Sequence, residues 1–495
     1  MRKSGVLLPV ASLPSSYGIG SFSKDAYRFI EQLEKAGQSY WQILPMGPTG
    51  YGDSPYQSFS TFAGNSYFID LEDLQSRGWI TKEECDAYDF GENIHEIDYY
   101  KLYKSREKVL RKAYQNSNIK ECQAFVRFCD KEQAWLDDYC LYMVIKMSFG
   151  GKSWIEWDRD IRFRETEAMQ KYAAKYEDDI VFYKFQQFIF MEQWEKLKRY
   201  ANEKQIEIIG DIPIYVALDS ADMWAAPELF QLDEERLPTA VSGCPPDGFS
   251  KTGQLWGNPL YDWAYHDKND YTWWMKRIAH HQRLYDIIRI DHFRGFDAYY
   301  SIPYGNETAE HGEWKTGPGI AFFKVLWESL GDVEIIAEDL GFLTESVCNL
   351  LAESGYPGMK VLQFAFDSRE DGNYLPHNYT PNSVVYTGTH DNNTTKAWYQ
   401  ALVHEDREFA LEYLGRNAGS ADEITWALIQ MAQSSVASRC IIPLQDYLLF
   451  GEETRINTPS TLGGNWTWRL DREDFNEELI MRIRQMMKLY GRIRK

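Results

Sequence analysis

Short apolar runs rich in β-branched residues recur along the chain, and polar segments with helical spacing separate them. This alternation is typical of βα units, in which each buried strand of a parallel sheet is followed by a helix. Eight strands in one chain predict an α/β protein with a closed (β/α)8 barrel, the TIM barrel. The predicted strands are Gly5–Val10, Tyr40–Met46, Glu207–Ile212, Ile287–Phe293, Glu334–Leu340, Met359–Phe366, Ser383–Thr389 and Cys440–Leu444.

Two connections are longer than a single crossover helix and predict insertions in an otherwise single barrel that spans residues 1–495. Residues 65–201 carry Glu, Lys, Tyr and Leu at helical intervals, which predicts a mainly helical subdomain between strands 2 and 3. We expect a second, mainly helical insertion at residues 217–285, between strands 3 and 4. Its segment 244–259, CPPDGFSKTGQLWGNP, is rich in Gly and Pro and predicts a loop on the barrel rim.

Composition excludes some classes of partner. The 74 acidic and 53 basic residues give a formal net charge of -21, which repels nucleic acid and anionic membrane surfaces. No apolar run reaches the ~18 residues that a membrane-spanning helix needs. The seven cysteines form no CxxC pair, and an odd number is a poor disulfide framework. We therefore expect reduced thiols and a cytoplasmic protein.

Polar residues follow four of the apolar strands, at the C-terminal ends where barrels of this class hold their active sites. A single acid in such a place is equally well explained as a helix cap or a structural ion pair. Acids that converge from four strands instead predict a functional site. In chain order, the polar residues are Asp211, Arg289, Asp291, His292, Glu338, His390 and Asp391.

Two chemistries fit this set of residues, namely a metal site and glycoside cleavage. Metal sites usually bring their ligands together in motifs such as HxH or HExxH, which are absent, although the IDH and THD pairs leave a metal possible. Glycoside cleavage with retention needs two carboxyl groups about 5–5.5 Å apart. Two neighbouring barrel strands can present carboxyl groups at that separation.

The motifs around these residues resemble those of a known family. RIDHFRG, AEDLG and THDN, with SPYQSFSTFAGN, GDIPIYVA, PPDGFSKTGQLWGNPLYDW and NTPSTLGGNWTWR, are similar to the motif set of amylomaltases, family 77 of the glycoside hydrolases. The matches extend from Pro14 to Arg469 in the family's order. The PPDGFSKTGQLWGNP segment is the most specific, because related α-amylases share the barrel acids and lack this loop. Ser460 stands where the family pattern has glycine.

The resemblance implies that Asp291 is the nucleophile, Glu338 the general acid and then base, and Asp391 the stabiliser of the transition state. Arg289, two positions earlier on the same strand face, is expected to keep Asp291 ionised. Glu338 must start protonated, which requires burial or nearby carboxylates. The remaining predicted sugar-binding residues, partly implied by the resemblance, are Tyr56 as a stacking platform and Asp211, Trp256, Arg289, His292, His390 and Asn465.

The activity that the resemblance implies is transfer of an α-1,4-glucan segment to the 4-hydroxyl of an acceptor, by double displacement through a covalent glucosyl-enzyme. Expected partners are maltooligosaccharides, amylose or glycogen-type glucans and glucose, with no metal, no cofactor and no predicted oligomeric state. Water competes with the acceptor, so we hypothesise that segment 244–259 covers the cleft with Phe249 and Trp256. An α-amylase-like hydrolase and a non-catalytic glucan-binding protein remain alternatives.

Overall fold

The computed structural model describes residues 2–50, 52–246, 250–341, 343–369 and 374–493. In chain order, the strands of this part of the chain are β1 (Lys3–Leu7), β2 (Tyr40–Gln42), β3 (Glu207–Pro213), β4 (Ala240–Cys244), β5 (Gln254–Pro259), β6 (Ile287–Asp291), β7 (Ala298–Pro303), β8 (Glu313–Thr316), β9 (Ile335–Ala337), β10 (Gly358–Val361), β11 (Ser383–Tyr386) and β12 (Arg439–Pro443).

Its α-helices, again in chain order, are α1 (Lys24–Lys35), α2 (Leu71–Ser76), α3 (Lys82–Asp86), α4 (Tyr99–Asn116), α5 (Gln123–Ser148), α6 (Arg159–Arg162), α7 (Thr166–Lys175), α8 (Glu177–Glu203), α9 (Ala221–Ala225), α10 (Trp263–Lys268), α11 (Thr272–Leu284), α12 (Ile320–Leu330), α13 (Glu345–Ser354), α14 (Thr395–Ala401), α15 (His404–Tyr413), α16 (Ala421–Ser434), α17 (Leu444–Tyr447) and α18 (Glu477–Leu489). None of these helices is long and apolar enough to cross a bilayer.

Eight parallel strands close into a barrel in the order β1, β12, β11, β10, β9, β6, β3 and β2. Each overlaps one of the eight predicted strands, so the predicted TIM barrel is confirmed. Most strands end earlier than predicted, because the chain turns into loops or short helices at their C-terminal ends, as where α17 begins directly after β12. Glu338, the first residue after β9, still donates its amide to the carbonyl of Ile290 at 3.1 Å, while its side chain accepts a hydrogen bond from the amide of Leu340 at 3.2 Å.

The barrel interior changes from apolar to charged along its axis. Alternate residues of a strand face the same side, so Asp211 follows Ile209 into the interior, and Arg289 and Asp291 follow Ile287. The lower interior is closed by a buried apolar cluster that Asp211, Arg289 and Asp291 overlie. Its members are Leu7, Tyr40, Ile209, Ile287, Ile336, Met359, Val361, Val384, Tyr386 and Ile441.

The connection between β2 and β3 contains helices α2 to α8, of which α5 and α8 have 26 and 27 residues. The connection between β3 and β6 is different, because α9, α10 and α11 share it with strands β4 and β5. These strands join β7 and β8 in an antiparallel sheet of order β5, β4, β7, β8.

The prediction of a mainly helical insertion at residues 217–285, with a loop throughout residues 244–259, was therefore wrong for Gln254–Pro259. This segment is a strand because β4 pairs with it, and β4 in turn pairs with β7. The supporting strand β7 lies beyond β6 in the sequence, so no local pattern revealed the sheet.

Candidate active site

A single guanidinium connects two acids at the C-terminal mouth of the barrel. Nη1 of Arg289 donates hydrogen bonds to both carboxylate oxygens of Asp211, at 2.8 and 2.7 Å, and to Oδ1 of Asp291 at 3.2 Å. The register of β3 against β6 pairs Asp211 with Arg289 directly, which explains the short contacts. The Tyr56 hydroxyl donates to Oδ2 of Asp211 at 2.7 Å. The charges of this buried group therefore compensate one another.

Glu338 lies beside Asp291 on the neighbouring strand. The register of β6 against β9 pairs Ile290 with Ala337, so Asp291 and Glu338 are the next residues along two adjacent strands. Neighbouring strands lie about 4.8 Å apart, which suits two carboxyl groups that act on one sugar. Oε2 of Glu338 accepts a hydrogen bond from the amide of His292 at 2.5 Å. This bond holds the glutamate carboxyl directly against the chain that follows Asp291.

Burial dominates the protonation of both carboxyls. It raises the pKa of Asp291 to about 7, although the positive charge of Arg289 acts to lower it. The negative charges of Glu338, Asp211 and Asp391 raise it further. Burial also raises the pKa of Glu338, although Arg289 and the His292 amide act against it. The two carboxyls titrate as a pair, so the pair retains a proton well above the usual range of a carboxylic acid.

Arg289 lowers the pKa of Asp291, which is the expected direction, although burial has the larger effect. The expectation that Asp291 is the ionised member of the pair stays a prediction. Arg289 makes its shorter contacts with Asp211, and its 3.2 Å contact with Asp291 does not outweigh the burial of that carboxyl.

Asp391 has the opposite protonation behaviour. Its carboxylate is 43% exposed and accepts a 2.7 Å hydrogen bond from Nδ2 of Asn457, while Nε2 of His390 lies 3.3 Å away. Although burial opposes them, His390 and Asn457 hold the pKa of Asp391 well below its ordinary value. The His390 ring stacks on Tyr56 with centroids 5.2 Å apart. Asp391 is thus a fixed negative charge at the mouth of the barrel.

His292 and Trp256 form a second wall of the cleft. His292 has a left-handed backbone with φ of 53°, and its ring meets Trp256 edge to face at 4.7 Å. Burial lowers the pKa of His292 to about 3, so its ring is neutral. Nε2 of this ring is buried and has no hydrogen-bond partner among the described residues. It is a polar atom that a sugar hydroxyl would satisfy.

Three predicted sugar-binding residues expose almost no surface. The exposed fractions of their side chains are 0% for Asp211, 3% for Arg289 and 2% for His390. Tyr56 and Arg289 donate to both oxygens of Asp211, and direct binding of sugar by Asp211 stays a prediction. These three residues support the groups that line the cleft.

Asn465 is not part of this network either. Its Oδ1 accepts from the amide of Thr458 at 2.9 Å and its Nδ2 donates to the carbonyl of Thr461 at 3.2 Å, so its side chain closes a turn. Ser460 in the same turn has a φ of 63°, the left-handed conformation that favours glycine. The structure thus accounts for the family's glycine at this position. Phe249 lies outside the described residues.

Among the described residues, no cluster of three or more His, Cys, Asp or Glu side chains is arranged to hold a metal ion.

A family model described as 4-alpha-glucanotransferase matches residues 8–474 of the chain. The chain belongs to the 4-alpha-glucanotransferase family. The resemblance that the motifs indicated is therefore confirmed.

Members of this family match the chain over nearly its whole length. A 4-alpha-glucanotransferase of Clostridium butyricum is 50% identical over 485 residues, which cover 98% of this chain and 99% of the relative. One from Streptococcus pneumoniae serotype 4 is 46% identical over 495 residues, covering 99% of this chain and 98% of the relative. The structure of an amylomaltase from Streptococcus agalactiae in complex with acarbose has a TM-score of 0.96 and 42% identity, and the match covers 100% of both chains.

Two residues that support Asp391 were not predicted from the sequence. Asn457 bonds its carboxylate, and Nη2 of Arg455 donates to its backbone carbonyl at 2.9 Å. Nε of Arg455 also donates to the carbonyl of Asn457 at 2.8 Å, while the Asn457 amide donates to the carbonyl of His390 at 3.1 Å. Asn457 is the first residue of the NTPSTLGGNWTWR motif, which was the available signal.

We expect Asn457→Ala to lower the turnover number roughly 10- to 100-fold, the effect of losing one hydrogen bond to a charged group. Without this donor the pKa of Asp391 rises, but the acidic limb of the pH profile is set by the Asp291–Glu338 pair, whose pKa lies far higher, so this limb should stay in place. The pH profile of the turnover number measures both the loss of activity and the position of the limb. Asn382→Ala, which removes a surface bond to Gly355, is the matched control. A turnover number that does not fall would contradict this role.

Proposed function

We propose that the protein transfers a segment of an α-1,4-glucan to the 4-hydroxyl of an acceptor glucose or glucan, with retention at the anomeric carbon. The observation that carries the proposal is the pairing of Asp291 and Glu338 at adjacent strand ends, where burial keeps a proton on the pair. Family membership supports the same reaction. Donors and acceptors are maltooligosaccharides, amylose or glycogen-type glucans and glucose.

In the first step, Glu338 donates its proton to the glycosidic oxygen while a carboxylate oxygen of Asp291 attacks the anomeric carbon. The bond from this carbon to the leaving oxygen breaks, and the reducing-end fragment departs as an alcohol. A glucosyl ester of Asp291 remains. Ester formation removes the negative charge of Asp291, while the bonds of Arg289 to Asp211 keep the guanidinium paired.

In the second step, the carboxylate of Glu338 accepts the proton of the acceptor's 4-hydroxyl, and the acceptor oxygen attacks the anomeric carbon. The ester bond to Asp291 breaks, so both catalytic carboxyls return to their starting states. Two inversions give net retention. Asp391, ionised and partly exposed, stabilises the positive charge that develops on the sugar in both steps.

The platform beneath the reacting sugar is proposed to be Tyr56. Two contacts fix this ring before any sugar binds, since its hydroxyl bonds Asp211 and its face stacks on His390. A platform held in this way loses little side-chain entropy on binding. His292 and Trp256 are proposed to bind the sugar from the other wall of the cleft.

Maltotriose distinguishes this proposal from the hydrolase and from the non-catalytic binder. A transferase produces glucose together with chains longer than maltotriose, whereas a hydrolase produces only shorter sugars. We expect Asp291→Asn to lower the transfer rate by at least about 1,000-fold without loss of folding, because an amide cannot form the ester.

The control for this substitution is Asp286→Asn, which changes an acid just before β6, at the other end of the barrel. Product chromatography and circular dichroism measure the outcome. Transfer that survives in Asp291→Asn would eliminate this residue as the nucleophile.

We also propose that segment 244–259 limits the access of water to the glucosyl ester. Its described part supports this role, because Trp256 packs on His292, whose amide bonds Glu338. Nδ2 of Asn258 donates to the carbonyl of Val216 at 2.8 Å, and its Oδ1 accepts from Gln57 at 3.3 Å. The strand is thereby tied to the loop that carries Tyr56.

We expect Trp256→Ala to raise the ratio of hydrolysis to transfer several-fold, because water reaches the ester more easily. The ratio is the rate of new reducing ends divided by the rate of longer-chain formation from maltotriose. Trp314→Ala removes a tryptophan of the same sheet that is 42% exposed on β8, and serves as the control. Equal ratios in the wild type and Trp256→Ala would contradict the proposed shielding.

The compartment is proposed to be reducing, as in the cytoplasm. All seven cysteines have free thiols, and Cys85, Cys140 and Cys440 are buried.

A further inference from the structure

A polar groove lies on the outer flank of the barrel, apart from the catalytic residues. Its volume is about 380 Å³, and residues of α1, α2 and α8 line it together with Phe22 at its floor. Sites for small ligands typically have volumes of roughly 300–1,000 Å³. None of the residues discussed for the reaction lines this groove, here called the flank groove.

Residues of two helices meet at the edge of the flank groove. Tyr27 and Glu31 of α1 and Lys196 of α8 line the groove, and Tyr200, four residues after Lys196 on the same face of α8, lies next to Tyr27. The rings of Tyr27 and Tyr200 lie 5.0 Å apart, and the Tyr200 hydroxyl donates to Glu31 at 2.6 Å. The two half-buried rings therefore form a fixed aromatic strip beside the groove.

The acids at the groove are already engaged with the protein. Asp70 caps α2 by accepting from the amides of Glu72 and Asp73, at 3.0 and 3.3 Å. Asp73 accepts from Gln193 at 2.8 Å and pairs with Arg77 at 2.8 Å. These bonds make one side of the groove rigid before any ligand binds.

Donors at the groove remain available. Within the described part of the chain, Arg28 forms no hydrogen bond through its guanidinium and no ion pair, and the Tyr27 hydroxyl forms no hydrogen bond. Both side chains line the groove, and Arg28 is exposed. A ligand that fits therefore carries acceptor atoms and has a flat apolar face that packs on an aromatic ring.

The charges at the groove select against an anion. Three cations line it, together with three acids of equal total charge, which leaves no net positive charge to hold phosphate. The cations are Lys24, Arg28 and Lys196, and the acids are Glu31, Asp70 and Asp73. The ligand must therefore be uncharged, carry acceptor atoms and have a flat apolar face. A neutral polyhydroxylated ring meets these three conditions, because its hydroxyls accept hydrogen bonds and its C–H face is apolar.

We propose that the flank groove is a second carbohydrate site that binds a distant stretch of the same α-1,4-glucan chain. The choice of glucan rests on the proposed function, because the enzyme would then meet this polymer as its substrate. A second site on one polymer raises the effective concentration of the chain at the cleft without any new contact there. Short substrates would gain nothing from it.

Binding is tested by retardation of the protein in native gels that contain soluble amylose, with every variant also carrying Asp291→Asn. Tyr27→Ala and, separately, Arg28→Ala should weaken the apparent affinity for amylose roughly 3- to 10-fold, the size expected from one aromatic or charge-assisted contact. Tyr27→Phe, which retains the ring, should keep most of the affinity. Tyr172→Ala removes a half-exposed tyrosine of α7 that stacks on Tyr176, and is the matched control.

Activity of the same substitutions in the otherwise unchanged enzyme provides the second readout. The rate on maltotriose should stay within about twofold, whereas the KM for amylose should rise by the factor seen in the gels. Arg28→Ala keeps the test decisive if Tyr27→Ala disturbs folding, because Arg28 is exposed and has no ion pair among the described residues.

Unchanged retardation in both variants would overturn the proposal, and so would an equal loss in Tyr172→Ala. Competition by inorganic phosphate would overturn it as well, by showing an anion site. The gels measure binding at the groove independently of the reaction. The two proposals can therefore fail separately. If retardation depends on Tyr27 and Arg28 but the wild-type protein forms no sugars longer than maltotriose, the proposed function is refuted and the proposed binding site is not.

Discussion

The site depends on one buried guanidinium that two acids share. Arg289 bonds both oxygens of Asp211 and one oxygen of Asp291 while almost none of its side chain is exposed. Removing one partner from such a group leaves a buried charge uncompensated, which is far more costly than losing an exposed ion pair. Asp211 also accepts a hydrogen bond from the hydroxyl of Tyr56. The proposed nucleophile, its support and the proposed sugar platform are thus positioned by a single set of contacts.

The carboxyl groups around Arg289 have different pKa values because their surroundings differ. Burial raises the pKa of Asp291 and Glu338, so the pair carries the proton that a leaving group needs. Asp391 stays ionised because His390 and Asn457 face it. Pairs of acids whose pKa values are moved apart are the usual means by which one site performs acid and base steps at a single pH. Here His390 has the largest lowering effect on the pKa of Asp391, and Asn457 adds to it from beyond the last strand.

Much of the barrel was predictable, because strand pattern and strand position are local properties of the sequence. Asp211 and Arg289 were correctly placed at the mouth, since alternation along β3 and β6 determines which side they face. Their mutual contact depends on the register between strands far apart in sequence, so the dominance of Asp211 over Asp291 as a partner of Arg289 could not be foreseen. The strand Gln254–Pro259 was missed for the same reason, because its sheet is completed by β7. The bonds of Asn465 to Thr458 and Thr461 close a turn and could not be foreseen either, because they depend on side-chain geometry, and its contact with sugar stays a prediction.

The central claim is that Asp291 forms the covalent bond to sugar and Glu338 moves the proton. The most direct measurement is the mass of the Glu338→Gln variant after incubation with α-maltotriosyl fluoride, whose leaving group needs no proton donor. Loss of the base slows the second step, so the account predicts a maltotriosyl adduct on the peptide that contains Asp291. An adduct on another residue, or no adduct while the fluoride is consumed, would contradict it.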